Sequence, residues 1–319
     1  MSRKTKLWLC IAGALIIVGA VLSIIGFAMV GGNFTMLSTN KYQTKEYTVS
    51  EDFQSIAIVT NTADIDFVAS DSCKVVCLEE ETMPHSVTVE NDTLVIKVQN
   101  KKKWHEHIAI NFKMPKITVC LPQGTYGNLS ISCATGDMHV PGDYAFNLID
   151  IAGSTGKVLC EASTVEALHV KLTTGSIRLE QATAGQLDLS ATSGNVTVSG
   201  VQCKGDAVIT AGTGTVSITD LTCLKLTSNG TTGVLKLSNV VAEKAFSLSR
   251  TTGNVELDRC DAEQIAISAK TGSVTGTLLS DKVYITNTTT GRVDVPQTAT
   301  GGKCEIRTTT GNIKIATAK

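Results

Sequence analysis

Three groups of side chains in this chain have types and spacings that could do chemistry. His105 and His107 flank Glu106. Two histidines two apart on a strand share a face and could hold a metal, but no further ligand follows within the segment. Lys101, Lys102, Lys103 and Trp104 precede them. The stretch reads as a solvated hairpin tip with one apolar anchor. Glu256 and Asp258 sit together, with Asp294 two repeats on. Carboxylates clustered on one outer face are how some β-helical enzymes cleave acidic polysaccharides. No carboxylate or basic ladder persists around them, and no outward aromatic row offers sugar rings a flat partner. The third group is the cysteines, ten in all. Cys133, Cys160, Cys260 and Cys304 occupy positions that elsewhere hold Val, Ile or Leu. Cys203 and Cys223 share a site filled elsewhere by Val165, Ala184, Ala242 and Ala262, and they alone come within bridging distance. Small buried thiols are the expectation for them all. Catalytic residues, cofactor and metal are accordingly all expected to be none.

The elements that would position these groups come from a repeat. A Thr-Gly turn recurs ten times, at Gly136, Gly156, Gly175, Gly194, Gly214, Gly233, Gly253, Gly272, Gly291 and Gly311. The spacing is always 19 or 20 residues, which marks a solenoid. The second and fourth residues after each Gly are nearly always apolar, as in Val196 and Val198, and the fifth and seventh before it repeat the pattern, as in Leu189 and Leu187. That period of two on both sides of a turn means two half-buried strands per repeat, joined by a glycine with positive φ. A third inward position falls seven after the Gly: Ala182, Val201, Leu221, Val240, Cys260 and Leu279. The register is expected to slip near Ser228 and Tyr284. The fold class is thus all-β, a parallel β-solenoid of about ten coils over residues 123–319, with coils stacked in chain order about 4.8 Å apart. The Thr residues before the glycines, Thr135 to Thr310, read as a hydrogen-bonded ladder broken only by Ser193.

Before the solenoid, residues 46–122 are β-rich and less regular, and are expected to cap the first coil. Asn61-Thr62-Ala63-Asp64 is a degenerate turn with Asp in the glycine's place. Asn91-Asp92 between two alternating runs signals a hairpin. Residues 1–6 carry Arg3, Lys4 and Lys6; residues 7–30 are uncharged and long enough to cross a bilayer as a helix. The next charge is Lys41, within a polar linker over 31–45, so the N-terminus is expected in the cytoplasm and the rest outside. An uncleaved anchor is favoured over a signal peptide, whose apolar core is shorter and ends in a small-x-small site. Aromatic residues make up only 4% of the 319, which suits a thin solenoid core, and a net charge of −1 gives no field that would call for nucleic acid.

Leu121-Pro122, a short spacer, the strand at Asn128 to Ile131 and Thr135-Gly136-Asp137 together resemble the bacterial putative-adhesin family of β-strand-repeat envelope proteins, a domain of unknown function. The resemblance covers about residues 46–319 and implies a cell-envelope β-solenoid with no catalytic motif. The function expected is a non-enzymatic surface interaction module. The alternative is an accessory of envelope-stress signalling or envelope assembly, and a polysaccharide-acting enzyme comes third. Expected partners are the membrane, through the one helix, and outside it a cell-wall polymer or an envelope protein.

Overall fold

The computed structural model describes residues 3–29, 31, 41–100 and 113–318. The Lys101–Lys103 run, Trp104 and the His105/His107 pair lie outside them. The chain is a parallel β-solenoid preceded by one helix, α1 (Arg3–Met29). The most apolar 18-residue stretch within Thr5–Met29 has a mean hydropathy of 2.7, and none of it is covered.

The alternation of each repeat makes the coil. Leu187 and Leu189 point inward and are buried, Asp188 points out, and Val196 and Val198 turn inward again after Gly194. Leu189 lies between Val170 of the preceding coil and Ile209 of the following one, so aliphatic columns run the length of the rod. The glycines form one column because, where one coil sits on another, a Cβ would run into the carbonyl of the adjacent coil. Gly194 has φ 146°, and a Cβ on it would stand 1.6 Å from the Gly175 carbonyl oxygen. Its N–H donates instead to Thr213 O, 2.7 Å away in the next coil. The Thr ladder is in register throughout, from Thr135 beside Thr155 to Thr271 beside Thr310.

A second corner, absent from the sequence reading, follows six residues after the glycine. Gln181, Gly200, Asp220, Asn239 and Arg259 hold φ between 50° and 65° in consecutive coils. The left-handed region accepts Asn, Asp and Gly at low cost, but a row that includes Gln and Arg has no simple composition signal. Another polar column follows the glycine directly. Asp64 Oδ1 accepts from Asp137 N, Asp137 Oδ1 from Lys157 N, and Asn195 Oδ1 from Thr215 N, each at 2.8–2.9 Å.

Four expectations are corrected. The register does not slip at Ser228 or Tyr284, which occupy ordinary inward sites opposite Leu248 and Cys304. In the first of these coils the shift falls earlier, between Cys223 and Lys225. Ser228 is polar because it serves Arg250, a buried guanidinium that donates to Ser228 O at 3.2 Å and Ser228 Oγ at 3.1 Å. Leu279 does not take the third inward site. A register shift sets Leu278, fully buried, opposite Cys260 and leaves Leu279 exposed. Ala63, not Asp64, stands in the glycine column, its carbonyl under Gly136.

The fourth correction concerns order. Gly311 stacks on Gly272 and Gly291 stacks on Gly311, so the last coil in sequence is inserted between the two before it. Strand Gly302–Thr310 lies between Val255–Thr271 and Lys282–Thr290. Strand Ile313–Thr317 likewise lies between Val274–Leu278 and Val293–Asp294. The physical reason is in the inward residues. Cys304 and Ile306 continue the columns of Ile265 and Ile267, whereas the outermost coil offers Tyr284 and Thr286. The apolar coil fills the interior and the more polar one faces the end. Lys282 clamps it there: it pairs with Gly302 of the inserted coil, and its Nζ lies 2.6 Å from Asp261 Oδ1 on that coil's far side.

The other end is closed by a different device. Strands β1 (Tyr42–Thr48), β2 (Ser55–Thr62), β3 (Asp64–Ala69), β4 (Lys74–Glu80), β5 (His85–Glu90), β6 (Thr93–Val98) and β7 (Lys116–Leu121) precede the glycine coils. β2 and β3 form a coil directly against the Gly136 coil, and β6 and β7 pair with them in parallel on the outer side. The outer layer is then covered by antiparallel strands, β5 on β6 and β4 on β7, with β1 on β4. Asn91 and Asp92 make the β5–β6 hairpin turn with φ of 49° and 57°, the left-handed pair of a type I′ turn. Antiparallel cover shields a parallel edge that would otherwise be open to another chain.

Candidate functional site

The carboxylates singled out in the sequence do not form a catalytic pair. Glu256 Oε2 is 3.4 Å from Lys236 Nζ, and Asp258 Oδ2 accepts from Ser238 Oγ at 3.1 Å; both are solvent-facing. They line a shallow groove of about 300 Å³ with Ser217, Thr219, Lys236 and Ser238. Because the last coil is inserted, Asp294 is three coils from the Gly253 coil, about 14 Å at the usual spacing, beyond what a pair of glycosidase carboxylates spans.

A different outward face carries the more regular array. Two and four residues before each glycine, side chains leave the rod on one side and stack in register: Ser132, Ala152, Lys171 and Ser190 at one end, Ser249, Ser268, Arg307 and Asn287 at the other. Of these twenty positions along the ten coils, twelve are Ser or Thr, three are Lys171, Lys270 and Arg307, and none is Asp or Glu. Shallow grooves mark both ends of the strip. One of about 380 Å³ is lined by Ser132, Ser154, Lys171 and Thr173, another of about 410 Å³ by Ser268, Lys270, Arg307 and Thr309. Sequence reading followed the positions after the glycine and passed over this side, although the same repeat count reaches it.

The cap holds the densest polar cluster of the described residues. Period two on β4 puts Cys77 and Glu79 on its inner face, and the turn into β5 brings back His85; all three are buried. Glu79 Oε2 accepts from His85 N at 2.6 Å and lies 3.0 Å from His85 Nδ1. Thr60 Oγ1 is 3.1 Å from Nε2 of the same ring. Glu79 Oε1 faces Lys45 Nζ at 3.3 Å, and Tyr47 donates to His85 O at 2.8 Å. The order Thr60, His85, Glu79 is that of a hydroxyl, a base and a carboxylate, yet burial of all three denies a substrate access. Burial, then the Glu79 carboxylate, push the Cys77 thiol up to about 12, with Lys45 opposing, so as it stands the sulfur is not a nucleophile. The signal that could have found this cluster was Cys77-x-Glu79 on one strand face.

The cysteines are thiols without a bridge, and all but Cys10 and the half-buried Cys73 are buried. Cys203 Sγ donates to Gly205 O at 3.4 Å. Burial raises the Cys223 and Cys304 thiols to about 12 and that of Cys160 to about 11.

One apolar helix followed by a capped parallel β-solenoid with repeated outward faces is the architecture of the described residues. The chain belongs to the Toastrack DUF4097 family, whose model matches residues 53–316. Among solved structures, a putative adhesin from Parabacteroides distasonis is similar, with a TM-score of 0.50 at 16% identity over 75% of this chain and 98% of its own. A putative adhesin from Parabacteroides merdae gives 0.47 at 12% identity over 87% and 97%. A putative lipid binding protein from Parabacteroides distasonis gives 0.43 at 17% over 75% and 98%. At such identities the likeness is one of fold. None of the curated proteins compared with the chain matches it.

Proposed function

We propose that this protein is a non-enzymatic surface interaction module, anchored in the cell membrane by α1 with its solenoid outside, and that it binds an anionic cell-wall polymer along the hydroxyl strip. The observation that carries the reading is the strip itself. It repeats Ser and Thr hydroxyls at the coil spacing and has three cations and no carboxylate in its own two rows, with Asp150, Asp188 and Glu305 flanking it and Glu305 paired to Arg307. Hydroxyls at a fixed spacing suit a polymer with its own repeat, while Lys and Arg add charge-assisted bonds to phosphate or carboxylate groups. Each contact is weak, and affinity comes from many engaged at once. The grooves along the strip are shallow and open to solvent, which suits contact with a polymer along its length. Support for the anchor comes from the length and hydropathy of the helix.

Binding of the detergent-solubilised full chain to purified anionic wall polymer is the test. The Lys171→Glu, Lys270→Glu, Arg307→Glu triple variant should lose most of the binding and keep its melting temperature, since all three residues are exposed. Equal binding by the triple variant would remove the strip as the binding face. No binding by the unaltered chain would favour a role in envelope signalling or assembly.

A further inference from the structure

The structure assigns Cys77, Glu79 and His85 to a site for a divalent ion of the zinc class, built into the cap. One ligand atom from each, Sγ, a carboxylate oxygen and an imidazole nitrogen, all lie within 4.8 Å of one another in the interior. Ligands about 2.0–2.3 Å from a tetrahedral ion are about 3.3–3.8 Å apart, so modest side-chain adjustment would close this set on one centre. The chemistry of the donors selects the ion. A sulfur, a nitrogen and an oxygen suit borderline-soft zinc, whereas calcium and magnesium take oxygen alone.

The surroundings are those of a supported ligand set. A metal-bound imidazole holds its orientation by donating its other N–H, and Thr60 Oγ1 stands 3.1 Å from His85 Nε2 to accept it. Glu79 is fixed by the His85 N–H and by Lys45. Binding balances simply. The Cys77 thiol gives one proton to solvent and the thiolate takes the ion; the imidazole proton that Nδ1 directs at Glu79 moves to Nε2, where Thr60 Oγ1 accepts it, and the freed Nδ1 becomes the nitrogen ligand. Thiolate and carboxylate together neutralise a divalent charge that the interior could not otherwise hold. A water completes four-coordination, because three protein ligands leave one position. The ion ties β4 to β5, which cover β7 and β6 respectively, and so links both halves of the antiparallel cover. This inference stands apart from the polymer-binding reading.

The probe is cobalt(II), then zinc(II), added to the chelator-treated full chain in detergent. One equivalent of cobalt should give tetrahedral visible bands with a thiolate charge-transfer band, and one equivalent of zinc should abolish them and raise the melting temperature. Cys77→Ser should lose the charge-transfer band, and Thr60→Val should weaken cobalt binding about 10–100-fold. The unaltered chain with zinc gives a check that needs no variant: absorption at the zinc edge should fit one sulfur among nitrogen and oxygen donors. Absence of stoichiometric cobalt binding, a charge-transfer band that survives Cys77→Ser, or a shell with two or more sulfurs would each overturn the assignment.

Discussion

Gly194 and Gly200 lie six residues apart in one coil, yet they need their freedom for different reasons. At Gly194 the backbone is in a region open to glycine alone, and the Gly175 carbonyl occupies the space of any side chain. Gly194→Ala should cost more than about 3 kcal/mol by chemical denaturation, because strain and clash act together. At Gly200, φ is 65° and the nearest atom to a methyl placed there is 3.8 Å away, as expected where other coils carry Asp220 and Asn239. Gly200→Asn should change stability by no more than about 0.5 kcal/mol. The buried thiols add a pH dependence. In the unfolded chain they ionise around 9.0, while Cys77, Cys223 and Cys304 hold their protons to about 12 when folded. The folded state therefore binds more protons above pH 9, and stability, complete below that, falls as pH rises toward 12. Arg250 acts oppositely, since burial lowers it to about 10, but one group does not cancel several. Melts between pH 8 and pH 11 should show the fall, smaller in a Cys160→Val, Cys304→Val variant; an equal fall there would trace it to other groups.

Coils are the elements of stability. Leu189→Ala in mid-rod removes a side chain held between Val170 and Ile209, and should cost about 2–5 kcal/mol. By sequence position Ile313 is near the end and its loss ought to matter less. In the structure it is fully buried, with Val274 on one side and Val293 on the other. Ile313→Ala should therefore cost about as much as Leu189→Ala, and should also loosen the Gly291 coil beyond it. Amide exchange reads this directly: faster exchange over residues 282–294 is expected, and protection unchanged there would argue against the inserted order. Replacing Cys203 with Ala should be mild, because Ala184 and Ala242 already fill the same site.

At the scale of the whole molecule, the two ends differ. One is sealed by antiparallel strands and the other by a coil that folds past its neighbour and leaves Val283 and Ile285 exposed on the outermost strand. The cap precedes the rod in sequence and follows α1, so the cap end is the one tethered to the helix. With Lys6 before the apolar run and Lys41 the next charge after it, protease added to intact cells should digest the chain beyond Lys41. Full protection while the membrane is intact would place the solenoid inside.

The amino-acid sequence by itself determined the coil. Period-two alternation and a glycine every 19 or 20 residues define which side chains face inward and where the chain turns, because both are local properties of strands and of φ. Leu187, Leu189, Val196 and Val198 were legible for that reason, and so was the burial of Cys160 and Cys304, which simply inherit aliphatic positions. Only the tertiary structure decided the order in which coils stack. Every glycine coil presents nearly the same edge, so any two could pair, and the choice fell to the inward residues of Cys304 and Ile306 against those of Tyr284 and Thr286. The cap cluster was decided in the same way. Cys77 and Glu79 share a face by strand geometry, but His85, Thr60 and Lys45 reach them from three other strands, and no spacing along a chain encodes that meeting.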